Sequence, residues 1–82
     1  MVDSVEDPNF VAELDARGLL CPLPVLKLRK RISALRSGDH IRVETDDPAA
    51  VLDVPHFCAE QGHSLLSQES TEKGCKFLIK KA

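Results

Sequence analysis

The apolar residues of this 82-residue chain change their spacing several times, and the order of those spacings limits the fold more than any other feature. Ala12, Leu14 and Ala16 alternate with the residues between them over positions 11–16, which predicts a short strand with one buried face. Further along, apolar residues recur every three or four positions. This spacing predicts an amphipathic helix that ends at Gly38 and whose apolar stripe holds Val25, Leu28, Ile32 and Leu35.

The same succession follows in the second half of the chain. Alternation over residues 41–46 predicts a half-buried strand. Asp47 and Pro48 then predict a second helix, because aspartate is a favoured N-cap and proline suits the first helical position. Pro55 should kink or interrupt this helix, and Gly62 should end it. Its core-facing residues are expected to be Val51, Val54, Phe57 and Cys58.

Two further strands are predicted over residues 63–70 and 75–80, joined by a hairpin turn over residues 71–74. The element order is therefore βαβαββ. Right-handed crossovers would place both helices on one face of a four-stranded mixed sheet, which is an α+β fold of the two-layer α/β sandwich type. We expect residues 1–10 to form a flexible lead-in and residues 11–82 to form a single domain.

Length and composition exclude several classes of protein. A chain this short has little room for an internal substrate cavity, and no apolar run approaches the roughly 20 residues that a membrane helix needs. The first residues carry acids and no base, unlike a secretory or organellar presequence, so the cytosol is the expected compartment. Cys21, Cys58 and Cys75 cannot all pair within one chain and lack the short spacing of zinc sites. No disulfide framework, metal or cofactor is expected.

Charge is segregated along the chain, although the net charge is only −2. Residues 1–16 hold acids and no base, whereas the segment 27–36 holds bases and no acid, namely Lys27, Arg29, Lys30, Arg31 and Arg36. A basic helix can bind nucleic acid, but the chain has no Trp or Tyr to stack on bases. We therefore rank an acidic protein partner above RNA, although such a run can also be only the solvated face of a helix.

The segment with the clearest chemistry places Cys21 between a glycine-containing loop and two prolines. Pro22 favours extended backbone at the residue before it, so Cys21 is predicted to be the N-cap of the first helix. The amides of Leu23 and Val25 and the positive end of the helix dipole would then face the sulfur, which predicts a lowered pKa for the Cys21 thiol. Gly18 has no side chain to cover the sulfur, so a large partner could approach it.

The other cysteines and the histidines give weaker indications. Cys58 and Cys75 fall on apolar faces and are expected to be buried core residues. No histidine lies near Cys21 in the sequence, which disfavours a Cys/His hydrolytic pair, and His63 is expected to be a packed or surface residue. Sulfur exchange at Cys21 is therefore expected rather than hydrolysis.

The pattern Leu14-Asp15-x-x-Gly18-x-x-Cys21-Pro22-x-Pro24 resembles the signature of the TusA (SirA-like) sulfur-carrier family. The resemblance continues through Gly38-Asp39, Asp46-Asp47-Pro48, Asp53-Val54-Pro55-x-Phe57-Cys58, Gly62-His63 and the final strand. It implies a two-layer sandwich and a protein that accepts sulfane sulfur from a cysteine desulfurase as a persulfide on Cys21. In such proteins the sulfur commonly passes to a DsrE-type relay protein and finally to 2-thiouridine at the wobble position of tRNA.

The resemblance also implies site residues. They are Cys21 for the persulfide, Gly18, Pro22 and Pro24 as motif support, and Arg29 and Asp47 for contacts with partners. Well-known members have glutamate between the two prolines, where this chain has Leu23. The implied protein is a sulfurtransferase-type carrier that works as a co-substrate rather than as a stand-alone enzyme, with no direct contact to nucleic acid or membrane.

Other functions stay open at this point. Relatives of the family supply sulfur for molybdenum-cofactor synthesis or act in sulfur oxidation. A non-catalytic regulatory or adaptor module could use the basic helix to hold an acidic protein or RNA while Cys21 only caps that helix. A thiol redox sensor is disfavoured because no resolving cysteine is adjacent to Cys21.

Overall fold

A computed structural model describes residues 11–82, in which a four-stranded sheet carries two helices. The strands are β1 (Val11–Asp15), β2 (His40–Thr45), β3 (Ser64–Thr71) and β4 (Gly74–Lys80), and the helices are α1 (Leu23–Ser33) and α2 (Ala50–Gln61). The predicted element order, βαβαββ, is confirmed. The predicted lead-in over residues 1–10 lies outside the described residues.

The sheet is mixed, as expected, with the strand order β1-β2-β4-β3. β1 and β2 run parallel, with Leu14 opposite Val43, and α1 makes the crossover between them. β4 pairs antiparallel with both β2 and β3, and its Phe77 lies opposite Val43. The parallel pair places the loop that follows β1 and the loop that follows β2 at the same end of the sheet.

One face of the sheet is buried under the helices. Alternate residues of β1, β2 and β4 supply the core, including Leu14, Val43 and Phe77, and α1 adds Leu28 and Ile32. Each fully buried side chain of this size contributes roughly 1.5–3 kcal/mol. The opposite face carries charged side chains, and an ion pair of 3.2 Å joins Arg42 to Glu13 there. The two-layer α+β sandwich is therefore confirmed.

The end of α1 differs from the prediction. The helix ends at Ser33 with Ala34 as its C-cap, five residues before Gly38. The amide of Leu35 donates to the carbonyl of Ile32 at 3.0 Å, so the last turn tightens before the chain leaves the helix. Leu35 still packs against the core, as its place in the apolar stripe indicated.

The start of α2 also differs from the prediction. Its N-cap is Ala49 rather than Asp47, and Pro48 precedes the cap. The amide of Ala49 donates to Oδ1 of Asp47 at 3.1 Å, so this aspartate forms a turn just before the helix instead of capping it. Ala50 is 1% exposed and Val51 is 39% exposed, so the expected burial of Val51 was wrong.

Pro55 lies inside α2 without interrupting it. A proline at this position leaves the carbonyl of Val51 without its usual helical donor. Nε2 of Gln68, on β3, lies 3.5 Å from that carbonyl oxygen and supplies a substitute donor. Gly62 ends the helix in the left-handed conformation with a φ of 78°, as predicted.

Candidate functional site

Cys21 lies in the loop between β1 and α1, and it is exposed. Cys58 and Cys75 are 2% and 4% exposed, which confirms that they belong to the core. Burial raises the pKa of the Cys58 thiol to about 11, so this group stays protonated near neutral pH. Within residues 11–82, Cys21 is therefore the thiol that a partner can reach.

Cys21 is not the N-cap of α1, contrary to the prediction. The cap residue is Pro22, the helix begins at Leu23, and no side chain caps it. The amide of Leu23 donates to the carbonyl of Leu20 at 2.8 Å, so it does not face the sulfur. Two aspartates that follow β2 hold Cys21 instead, and neither is close to it in the sequence.

Asp53, in the first turn of α2, contacts the sulfur. The Cys21 thiol donates a hydrogen bond to Oδ2 of Asp53, with a distance of 3.0 Å from Sγ to the oxygen. This hydrogen bond is the main cause that raises the pKa of the Cys21 thiol, with smaller contributions from desolvation and from the negative charges of Asp53 and Asp47. The expected lowering of this pKa was wrong because the neighbouring carboxylates favour the protonated thiol.

Asp47 joins the Cys21 loop to the start of α2. Its Oδ2 accepts the backbone N–H of Cys21, and its Oδ1 accepts that of Ala49. The amide of Asp47 itself donates to Oγ1 of Thr45 at 3.2 Å. Asp47 is only 9% exposed, so its carboxylate is engaged inside the chain. The contact with a partner that the family resemblance implies for Asp47 stays a prediction.

Gly18 and Pro24, the motif residues other than Cys21 and Pro22, lie on either side of Cys21 in the chain. Gly18 has a φ of +83° and donates its amide to Oδ1 of Asp46 at 2.9 Å. A Cβ at this position would meet nothing within 4 Å, so the backbone conformation requires the glycine and the space beside it is open. Pro24 is buried in the first turn of α1, where a missing amide hydrogen costs no helical bond.

A groove of about 270 Å³ runs from Cys21 between α1 and α2. Its walls include Leu26 and Arg29 from α1 and Asp53 and Phe57 from α2. Exposed leucines surround the motif and the adjoining helix turns, with exposures of 70% for Leu20, 49% for Leu23, 51% for Leu26 and 77% for Leu52. Apolar surface of this kind at a reactive thiol suits docking of a protein partner.

A larger depression of about 480 Å³ lies on the open face of the sheet. Charged side chains line it, including Glu13, Arg17, Arg42 and Lys76, and Arg17 is paired there with Asp15 at 2.9 Å. This ion pair holds the pKa of Asp15 at about 2. The depression holds no cysteine or histidine, so we place the site at the Cys21 groove.

Comparison with known proteins identifies the family and the fold. A family model described as sulfurtransferase TusA matches residues 12–81. The chain belongs to the TusA family. A crystal structure of a SirA-like protein from Desulfitobacterium hafniense has the same fold, with a TM-score of 0.72 and 20% sequence identity over 89% of this chain and 97% of that one. Membership of the TusA family gives the chain a sulfur-carrier role in general terms.

Arg29 is exposed on α1 and lines the groove of this TusA-family protein. Among the ion pairs formed within residues 11–82, none includes a base of the segment 27–36. That basic surface is therefore available to an acidic partner. The part of the chain that the structure describes contains no group of three or more residues suited to hold a metal.

Asp53 is the site residue that sequence reasoning missed. It falls in a segment that resembles the family pattern, but nothing in its local sequence indicates that its carboxylate reaches a thiol 32 residues away. The parallel β1–β2 pair brings the loop after β1 and the segment after β2 together, and this pairing was the available signal.

Over the described ranges, no helix has the length and apolar character needed to cross a membrane.

Proposed function

We propose that this TusA-family protein accepts sulfane sulfur from a cysteine desulfurase as a persulfide on Cys21 and passes it to an acceptor protein. The observation that carries this proposal is the exposure of Cys21 while Cys58 and Cys75 are buried. A domain whose exposed thiol lies at the mouth of a shallow groove suits transfer between proteins better than turnover of an enclosed substrate.

The chemistry needs two exchange steps at the same sulfur. In loading, the Cys21 thiolate attacks the outer sulfur of the donor persulfide, the bond between the two donor sulfurs breaks, and the donor cysteine leaves as a thiolate. In unloading, an acceptor thiolate attacks the outer sulfur of the Cys21 persulfide, and Cys21 leaves. Both steps require that two proteins reach the same sulfur in turn.

The proposed acceptor is a DsrE-type sulfur-relay protein, and the proposed end product is 2-thiouridine at the wobble position of tRNA, made in the cytoplasm. The support is the family membership together with the motif around Cys21. The base-rich face of α1, with Arg29 at the groove, supports docking of acidic protein surfaces rather than direct binding of tRNA. Asp47 and Arg29 are the proposed partner contacts.

A test in cells distinguishes the possible destinations of the sulfur. We expect a strain whose only copy carries Cys21→Ser to lose 2-thiouridine from digested tRNA, measured by mass spectrometry, whereas a Cys58→Ala strain keeps it. Retention of 2-thiouridine together with loss of molybdoenzyme activity, or of growth on reduced sulfur compounds, would contradict the tRNA destination. Those outcomes would assign the carrier to cofactor synthesis or to sulfur oxidation.

The second candidate is an adaptor that binds an acidic protein through α1 without using its thiol. The bases of α1, which form no ion pair with any of residues 11–82, favour it. Its distinguishing outcome is that the Cys21→Ser strain keeps 2-thiouridine, molybdoenzyme activity and growth on reduced sulfur compounds while an Arg29→Glu strain loses one of the three. In that case the adaptor function would replace the carrier function.

A further inference from the structure

The carboxylate beside the Cys21 thiol belongs to Asp53, which has no ion-pair partner among residues 11–82. Oδ2 of Asp53 accepts the hydrogen bond of the Cys21 thiol at 3.0 Å, and Asp53 is half-buried at the mouth of the groove. Among residues 11–82, no lysine, arginine or histidine forms an ion pair with Asp53. A negative charge therefore lies against the sulfur, and no cation of the described chain is within ion-pair distance of it.

Other charged groups face Cys21 from each element around it. Asp47, before α2, accepts the backbone amide of Cys21 and adds a second negative charge. From α2, Glu60 lines the groove and is 3.4 Å from Nε2 of His56. From α1, Arg29 lines the opposite wall. Asp53 is the one among these whose side chain contacts the sulfur.

The Asp53 carboxylate disfavours the thiolate of Cys21, which is the reactive form of cysteine. The thiolate is the nucleophile in sulfur exchange, and a carboxylate in contact with the sulfur favours the protonated thiol. The free carrier is thus held in its less reactive form.

We propose that Asp53 makes Cys21 selective for partners that bring a positive charge, a lysine or arginine side chain, to the sulfur. This inference rests on the proposed carrier function. The incoming cation pairs with the Asp53 carboxylate, the thiol proton passes to solvent, and the thiolate attacks the outer sulfur of the donor persulfide. The donor S–S bond breaks, and the donor thiolate takes up a proton, so Cys21 is oxidised to a persulfide while the donor cysteine is reduced to a thiol.

Charged thiol reagents test this selectivity without any sulfur donor. The cationic reagent 2-(trimethylammonio)ethyl methanethiosulfonate and the anionic reagent 2-sulfonatoethyl methanethiosulfonate both form a mixed disulfide with Cys21 and release methanesulfinate. The measured quantity is the ratio of the cationic to the anionic rate. We expect Asp53→Asn to lower this ratio roughly tenfold, as removal of one close charge implies. Glu13→Gln, which removes the same charge from the far face of the sheet, should leave the ratio unchanged.

Two further measurements separate a charge effect from a change in shape. The rate ratio of the unmodified protein should fall as salt is raised from low to physiological concentration, because this carboxylate is close to solvent. The pH profile of alkylation by neutral iodoacetamide should move to lower pH in Asp53→Asn, because the hydrogen bond and charge that raise the Cys21 pKa are lost, and it should stay in place in Glu13→Gln.

The proposal is overturned if folded Asp53→Asn keeps the charge ratio and the pH profile of the unmodified protein, or if salt leaves that protein's ratio unchanged. Loading by a desulfurase is measured separately. A protein that failed to load but showed the predicted reagent ratios would refute the carrier function and leave the role of Asp53 intact.

Discussion

Cys21 combines an exposed sulfur with acidic neighbours, and this combination sets its chemistry at the scale of the residue. A buried cysteine such as Cys58 is protected by burial, which raises its pKa to about 11. Cys21 is protected in another way, since its thiol is accessible but hydrogen-bonded to Asp53 at 3.0 Å. A carrier of this kind resists unspecific reactions in the free state and depends on its partner for activation.

The identity of the reactive cysteine could be predicted from the sequence, but the direction of its pKa shift could not. The reactive cysteine follows from its place among Gly18, Pro22 and Pro24, all of which lie within three positions of it in the chain. The direction of the Cys21 pKa shift does not follow from the local sequence. Asp53 decides this direction, and it is 32 residues away in the chain. Local sequence indicated a helix end beside the sulfur, whereas the contact between the Cys21 loop and the first turn of α2 places a carboxylate there.

At the scale of the elements, Asp47 connects the Cys21 loop with the start of α2. Its two oxygens accept the backbone amides of Cys21 and Ala49. We expect Asp47→Ala to lower the free energy of unfolding by about 2 kcal/mol, because two part-buried hydrogen bonds to a charged acceptor are lost. Denaturant unfolding followed by circular dichroism measures this change.

Asp46→Ala is the matched control for that change. Asp46 is exposed and accepts the single amide of Gly18 at 2.9 Å, so its loss should cost less than the loss of Asp47. Equal destabilisation by the two substitutions would show that Asp47 does not have the connecting role described above.

Element types were largely predictable, and element ends were not. Alternation identified β2 and β4 because one face of the sheet is buried and the other is charged. The start and end of α1 and the start of α2 were misplaced, whereas the end of α2 at Gly62 was predicted correctly. Asp47 bonds to the Cys21 loop instead of capping α2, and Gln68 on β3 supplies a donor to the carbonyl that Pro55 leaves open.

At the scale of the whole molecule, the two faces of the sheet have different uses. The helical face carries Cys21, the groove and the bases of α1, whereas the open face carries ion pairs such as Arg42 with Glu13. We expect Arg29→Glu to weaken binding to the sulfur donor about tenfold or more in a calorimetric titration at low salt, because it reverses one charge at the proposed interface.

Lys76→Glu makes the same change in net charge on the open face of the sheet and is the control for this prediction. It should leave donor binding within about twofold of the unmodified protein. If Lys76→Glu weakened binding as much as Arg29→Glu, overall charge rather than a docking surface on α1 would explain the effect.

The most direct test of the central claim is the intact mass of the protein after incubation with a cysteine desulfurase and cysteine. The carrier function predicts the gain of one sulfur atom, located on Cys21 by peptide mapping and removed by a thiol reductant. Cys21→Ser should gain none, and Cys58→Ala should load as the unmodified protein does. A Cys21→Ser protein that still gained the sulfur, or an unmodified protein that never did, would contradict the claim.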